Sequence, residues 1–308
     1  MNKIKIFLSG GSGMVGSNIR EALADSKYEI VCPGKLELDL LDYEKVNAFF
    51  RTNSFDLVIH TAGIVGGILA NIDNPVKYLV ENTDMARNVI LSAKNNGVKR
   101  LINLGSSCMY PRNAKNPIKE ESILTGELEP TNEGYAIAKI YALRLCEYIN
   151  KKNQDCAYKT LIPCNLHGKY DKFEPHHAHL IPSIIYKVHY AKKNNLQNIE
   201  IWGNGDVRRE CMYVSDLADF IKFTLENYDK IPNIINVGLG YDYTINEYYN
   251  MVAKVVGYQG AFTHDLTKPE GMKKKLVDIF FQTQLGWKPK YTFEQGIIET
   301  YNYLKNKY

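Results

Sequence analysis

The sequence predicts a doubly wound parallel α/β sheet with a smaller, partly helical lobe attached, and three observations lead there. A short apolar run, Ile4-Lys-Ile-Phe-Leu8, is followed by Gly10, Gly13 and Gly16 and then by a helical pattern over residues 18–24. Strand-like and helical runs alternate through the first half, as they do when crossovers cover both faces of a parallel sheet. Four motifs then fall at strand C-termini, the edge where such sheets bind ligands. Together these describe a Rossmann-like nucleotide fold.

Each element has its own justification. The apolar run at residues 4–8 reads as a buried strand. In the turn after it, the first glycine allows the tight bend and the second lets a pyrophosphate approach the backbone. The third lets helix and strand pack closely, and the helix N-terminus faces the phosphate charge. A glycine triplet alone is weak evidence, but the strand before it and the helix after it are both readable. Met14 and Val15 lie inside this turn and belong to the same expected cofactor seat. Further strands are expected at residues 28–32, 56–60, 101–104 and 159–162, and helices at 43–51, 82–96 and 136–151. The ligand edge then carries the glycine turn, His60-Thr-Ala62-Gly63, Gly105-Ser106 and Pro163-Cys-Asn165.

After Asn165 the regularity weakens. Residues 168–179 are polar, aromatic and rich in His and Lys, which suggests a segment covering the substrate. A helix is expected over 181–191, then Trp202-Gly-Asn-Gly205, a strand at 233–237 that returns to the sheet, and a helix over 244–256. The expected division is residues 1–165 plus about 233–243 for the nucleotide domain. The substrate lobe takes 166–232 plus about 244–308.

Composition bounds the function. The 308 residues are 45% hydrophobic and 23% charged, which describes a globular chain large enough for one substantial core and a smaller lobe. A net charge of +4 and a pI near 8.5 suit an acidic small ligand such as a nucleotide diphosphate. Lys273-Lys-Lys275 is the densest basic run and reads as a solvated turn, so nucleic acid is not indicated. No apolar stretch reaches the length of a membrane span, and the first strand begins too early to leave room for a signal peptide. The cysteines at 32, 108, 146, 156, 164 and 211 form no CxxC pair, so neither zinc nor a redox dithiol is expected. Cys146, Cys156 and Cys164 read as buried small hydrophobes in a reduced, cytoplasmic protein. His176, His177 and His179 lack ligand spacing, and no metal is expected.

The chemistry lies in Tyr135-Ala-Ile-Ala-Lys139 with Gly105-Ser106-Ser-Cys108 upstream. Tyrosine is a poor acid at neutral pH, with an ordinary pKa of about 10. A lysine four residues later lies on the same helical face, and its charge is expected to favour the tyrosinate. Ser106 can hold the substrate oxygen that receives the proton. With a nicotinamide cofactor alongside, this is apparatus for hydride transfer at a carbon bearing oxygen.

These motifs resemble those of the extended short-chain dehydrogenase/reductases and, among them, of the GDP-L-fucose synthase family. The likeness rests on Gly13-Met-Val-Gly16, Val65-Gly-Gly-Ile68, Gly105-Ser-Ser-Cys-Met-Tyr-Pro111, Leu128-Glu-Pro-Thr-Asn-Glu133, Tyr135-Ala-Ile-Ala-Lys139, Asn165-Leu-His-Gly168, Trp202-Gly-Asn-Gly205, Arg209-Glu210 and Leu285-Gly-Trp287, and so spans nearly the whole chain. It implies that a C4 ketone of a GDP-4-keto-6-deoxy sugar acidifies C3 and C5, an acid/base pair inverts those centres, and NADPH then reduces the ketone. In the family that pair is a cysteine two residues past the catalytic serine and a histidine in the substrate segment, here Cys108 and His179. NADP is expected to touch Gly10, Gly13, Met14, Val15, Gly16, Lys35, Ala62, Tyr135, Lys139 and Pro163. Substrate is expected at Asn165, Lys187, Trp202 and Arg209. The resemblance also implies a homodimer through helices around 82–96 and 136–151.

Other readings stay open. Cys108 could be a packed small residue and His179 a surface histidine beside the exposed His176 and His177. His60 reads as a packed or hydrogen-bonded core residue. Arg209 could pair with Glu210 instead of a diphosphate, Lys187 could be solvated, and Trp202 could stack on the base or pack the lobe. Two departures from the family matter. Ser12 stands where the family carries an arginine that helps hold the 2′-phosphate of NADP, and Cys32-Pro-Gly-Lys35 offers no carboxylate for a free 2′-hydroxyl, so Lys35 is the expected cation. Glu174-Pro-His-His-Ala178 is bulky and charged, which suits a sugar differing at C6, such as a heptose. Alternatives to the bifunctional enzyme are a C4 reductase without epimerisation, acting on a GDP-4-keto-6-deoxyheptose, and a sugar-nucleotide-binding protein without catalysis.

Overall fold

The structure is a computed structural model describing residues 3–24, 27–174, 178–268 and 271–307. Its centre is a six-stranded, all-parallel sheet. The strands are β1 (Ile4–Ser9), β2 (Tyr28–Val31), β3 (Leu57–His60), β4 (Arg100–Leu104), β5 (Ala157–Pro163) and β10 (Ile234–Val237), in the order β10-β5-β4-β3-β1-β2. The crossover from β1 goes one way to β2, and the chain then returns past β1 to β3. That reversal opens a crevice at the carboxyl ends of β1 and β3, where doubly wound sheets take their ligands.

Side chains alternate across the sheet with the two-residue period of a strand. Phe7, Val58 and Leu101 face a core built with α2 (Tyr43–Thr52), α4 (Pro75–Asn95) and α5 (Glu133–Lys152). Ile6, Leu8, Leu57 and Ile102 face the other, covered by α1 (Met14–Ala22) and α7 (Val214–Glu226). Helix α7 lies against α1, with Leu217, Phe220 and Ile221 fully buried. The boundary expected at residue 232 is therefore corrected. The second face of a parallel sheet must be covered, and α7 supplies that cover from within the stretch assigned to the other lobe.

The smaller lobe begins with β6 (Asn165–His167), paired in parallel with β9 (Cys211–Tyr213). Its core joins α6 (Leu180–Lys193), α8 (Ile245–Val256) and α10 (Phe293–Lys307) through Ile184, Ile185, Val188, Tyr248, Val252 and Ile297. Around it run β7 (Asn198–Trp202) with β12 (Ala261–Asp265), and β8 (Arg208–Arg209) between β11 (Tyr243–Thr244) and β13 (Lys274–Lys275). Two short α-helices, α3 (Ile68–Asp73) and α9 (Phe280–Gln284), lie outside these cores. Among the described residues no helix is long and apolar enough to cross a membrane.

Candidate active site

The glycine turn packs so closely that side chains are excluded. Gly10 has φ +74°, and a Cβ there would lie 2.8 Å from Ala62 N and Cα, on the loop after β3. A Cβ on Gly16 would lie 2.2 Å from the Gly10 carbonyl. The N-cap of α1 is Gly13, and no side chain caps the helix, so its first-turn N–H groups are available to an anion. Ser9 Oγ accepts from Ala62 N at 3.3 Å and bonds His60 Nδ1 at 2.8 Å. His60 is thus a buried, hydrogen-bonded core residue; burial and the nearby Lys139 charge hold its pKa at about 3. The cradle between Gly10, Ala62 and the start of α1 fits a dinucleotide pyrophosphate. Lys35 is exposed just past β2, and Pro163 closes β5 beside Val237.

Ser106 follows β4 and caps a single 3-10 turn, Ser107–Met109, accepting from Cys108 N at 3.4 Å. Its hydroxyl is near enough to the Tyr135 hydroxyl and to the Cys108 thiol to favour the ionised form of each. The serine, tyrosine and cysteine expected from the sequence therefore lie together. The Tyr135 ring lies edge-on to Tyr78 at 6.4 Å, in a hollow lined by Asn71, Pro130, Thr131 and Asn132. Lys139 is buried, donates to Leu104 O at 2.8 Å, and sits 5.7 Å from the Tyr135 ring centroid.

The electrostatics correct one expectation. Burial, followed by the neighbouring Cys108, pushes the Tyr135 hydroxyl up rather than down, so it keeps its proton. Burial also lowers Lys139 to about 8. With its ammonium donating to a backbone carbonyl, Lys139 does not fully offset the desolvation of the phenol. A protonated tyrosine is the form that can donate to a ketone oxygen.

Cys108 is buried, and burial raises its thiol; Lys275, Ser106 and Lys139 pull it back in that order. Lys275 was read as part of a solvated turn, and that is corrected. Strand β13 pairs with β8, which turns Lys275 inward beside Cys108, Arg209 and Glu129. No motif marks it; only the apolar residues at 276 and 277 hint that the basic run ends in a buried strand. Asn132 is a second residue the sequence reading passed over: its Oδ1 is buried without a partner in the hollow beside Tyr135.

His179 is the half-buried N-cap residue of α6, its pKa lowered by burial and by Lys172. It sits beside the loop after β3, where a Cβ on Gly67 would lie 3.1 Å from Ala178 O. His176 and His177 lie outside the described residues. Arg209 does not pair with Glu210. Its Nη1 donates to Arg208 O at 2.8 Å and Met272 O at 2.5 Å, and Glu129 is near. Glu210 is buried, accepts from Leu239, Gly240 and Val277 N–H groups, and rises to about 7 through burial. Asn165 turns its side chain to the Cys211 thiol. Trp202 is partly exposed, with Lys187 at 5.6 Å and Lys268 at 5.7 Å from its ring centroid, and lies outside the lobe core. All six cysteines are free; Cys146 and Cys164 are buried, whereas Cys156, expected with them, is only half-buried.

A parallel nucleotide fold whose crevice holds a Ser–Tyr–Lys set defines a nicotinamide-dependent oxidoreductase of the short-chain type. A model of the NAD dependent epimerase/dehydratase family matches residues 6–238, and the chain belongs to that family. Among its relatives it is 50% identical to the GDP-L-colitose synthase of Yersinia pseudotuberculosis, over 99% of both chains. It is 40% identical to the GDP-L-fucose synthase of Escherichia coli strain K12, over 100% of this chain and 98% of the other. Solved structures include a GDP-6-OMe-4-keto-L-xylo-heptose reductase from C. jejuni, 30% identical with a TM-score of 0.92 over 100% of this chain and 99% of the other. A GDP-mannoheptose C4 reductase from Campylobacter jejuni with NADP bound is 32% identical, with a TM-score of 0.89 over 99% of each.

Proposed function

We propose that this protein is an NADPH-dependent reductase of a GDP-linked 4-keto-6-deoxy sugar that also epimerises C3 and C5 in the same site. The observation that carries the reading is the position of Ser106, which caps the turn bearing Cys108 and lies near enough to Tyr135 to act on its hydroxyl. It puts the groups for the ketone and the group for the neighbouring carbons within reach of one sugar ring.

When bound in the Gly10–Ala62 cradle, NADPH supplies the hydride that reaches C4. Ser106 holds O4, and Tyr135 gives its proton to O4 as charge develops there. Lys139, charged below about pH 8, stabilises the phenolate left behind. Before reduction, Cys108 as thiolate removes a proton from C3 or C5, with O4 taking the enolate charge beside Ser106 and Tyr135. His179 returns a proton to the opposite face. Lys275 favours the thiolate, and Arg209, Lys187 and Asn165 line the path toward the diphosphate and Trp202 the base. The proposed lobes meet along this cleft.

Incubation with GDP-4-keto-6-deoxymannose and NADPH in heavy water tests the pairing. Deuterium is expected at C3 and C5, and Cys108→Ser should suppress it far more than it suppresses C4 reduction of an already epimerised substrate. Normal reduction without label would leave the reductase alone. That second reading, on a GDP-4-keto-6-deoxyheptose, is favoured by the likeness to the two Campylobacter heptose reductases. The intact Ser106–Tyr135–Lys139 set weighs against a binder without catalysis.

We propose a homodimer through α4 and α5, which pack on each other and expose Val76 (72%), Val80, Ile137, Tyr141 and Tyr148 (60%). Exposed apolar side chains on paired helices suit burial against a second copy. The six free cysteines accord with a reducing, cytoplasmic setting.

A further inference from the structure

Lys169 and Tyr170, which follow β6, are fastened to the first helix of the nucleotide lobe, and the chemistry above makes no use of that attachment. Glu21, in the last turn of α1, accepts from Tyr170 Oη at 2.6 Å and from Lys169 Nζ at 3.1 and 3.3 Å through its two oxygens. One turn earlier, buried Asn18 donates to Lys169 O at 3.2 Å and to Met14 O at 2.8 Å, and its Oδ1 accepts from Ser215 Oγ at 3.1 Å. Tyr170 has φ +69°, a left-handed conformation that a non-glycine residue keeps only where surrounding contacts hold it.

From this anchor two routes lead to the sugar side. Phe173 is fully buried in the same core cluster as Ile181 and Ile184 of α6, the helix that His179 caps. Lys172 acts on the His179 imidazole through its charge. At the other end, α1 offers its uncapped N-terminus to the pyrophosphate. A nine-residue helix is a rod of about 13 Å, so a shift at one end is felt at the other.

We propose that Glu21 is a positioning residue that couples the two ligands. Dinucleotide bound at the N-terminus of α1 fixes, through Glu21 and its bonds to Lys169 and Tyr170, the segment that sets Lys172 and His179 against the sugar. The inference rests on the reading of the chain as a GDP-sugar reductase. Its role is binding energy shared between sites, so the coupling must be reciprocal.

Calorimetric titration of GDP-L-fucose, into the protein alone and into the protein saturated with NADP+, reads the coupling directly. Wild-type protein should bind the sugar nucleotide on the order of tenfold more tightly with NADP+ present. Glu21→Gln removes the charge and Tyr170→Phe only the hydroxyl. Each should cut that ratio to about threefold or less, the scale of a half-exposed ion pair, with NADP+ affinity and melting temperature little changed. A wild-type ratio near one, or an unchanged ratio in both variants, overturns the proposal. So does a Glu21→Gln loss confined to NADP+ affinity, which would make Glu21 a cofactor contact. If GDP-L-fucose fails to bind wild-type protein under either condition, the functional reading falls, and the coupling with it.

Discussion

The Lys275 ammonium is the strongest favourable charge on the Cys108 thiol, and the thiol in turn favours the ammonium. Burial opposes the charged form of both groups, so each helps the other to ionise. Lys275→Gln should move the pH midpoint of Cys108 alkylation upward, read by mass spectrometry on the Cys108 peptide. Deuterium uptake at C3 and C5 should fall by about tenfold or more. Reduction of an already epimerised substrate should fall much less. Equal losses in both reactions would mean that Lys275 serves substrate binding alone.

Tyr135→Phe keeps the ring beside Tyr78 and removes the proton donor. Reduction should drop by about a hundred- to ten-thousandfold, the usual contribution of a placed general acid. NADP+ affinity should survive. A variant keeping more than half the wild-type rate would exclude Tyr135 as the donor.

Lys139 sets a pH limit. Its pKa falls from an ordinary lysine value to about 8 because it is buried, so its charge is present below pH 8 and lost above it. The kcat/KM for reduction should therefore decline as pH rises through about 8. Lys139→Arg, charged at all these pH values, should lose rate overall yet show no such decline. If the decline stays at the same pH in Lys139→Arg, another group is responsible.

Cofactor choice should depend on cations near the end of β2. Lys35 is exposed there, and the Arg20 side chain passes 3.7 Å from where a Gly11 Cβ would lie, beside Cys32. NADPH should bind more tightly than NADH, and Lys35→Ala should narrow the gap by weakening NADPH alone. Fluorescence titration decides it. Equal affinities in wild-type protein would show that the 2′-phosphate is not read.

Asp171 should make stability pH-dependent. It is buried, accepts from Lys172 N at 2.8 Å, has no partner for Oδ2, and burial raises its pKa to about 7. The folded state then binds a proton that the unfolded chain releases near pH 4, so Asp171 disfavours folding increasingly from about pH 4 to 7. Asp171→Asn should stabilise the protein at pH 8 by on the order of 1–3 kcal/mol and have little effect at pH 4.5. Denaturant midpoints at the two pH values measure this. A variant less stable than wild type at pH 8 would show that the carboxylate is needed there.

How much was legible follows from what each residue depends on. The glycine turn, Ser106 and the Tyr135–Lys139 pair are local, because one strand end or one helix face sets their geometry. The strand at residues 234–237 was also found, since it returns to a fully buried sheet and reads as an apolar run. Helix α7 was missed. It starts directly after Tyr213 with no side-chain cap and no glycine or proline to announce it. The start of α4 was placed seven residues late although Pro75 stands at its first position, a usable signal. Lys275 depends on a two-residue strand paired with a distant one, and the pKa of Tyr135 depends on burial; neither is a property of sequence spacing.

The strand β10 has a consequence for synthesis. During translation, β1 to β5 can pair as they emerge, but β5 stays an open edge until Ile234 arrives, with β6 to β9 intervening. An open, apolar edge strand invites pairing with another chain. A fragment ending near Cys164 would present that edge permanently. It should accumulate as aggregate rather than as an independent nucleotide-binding domain.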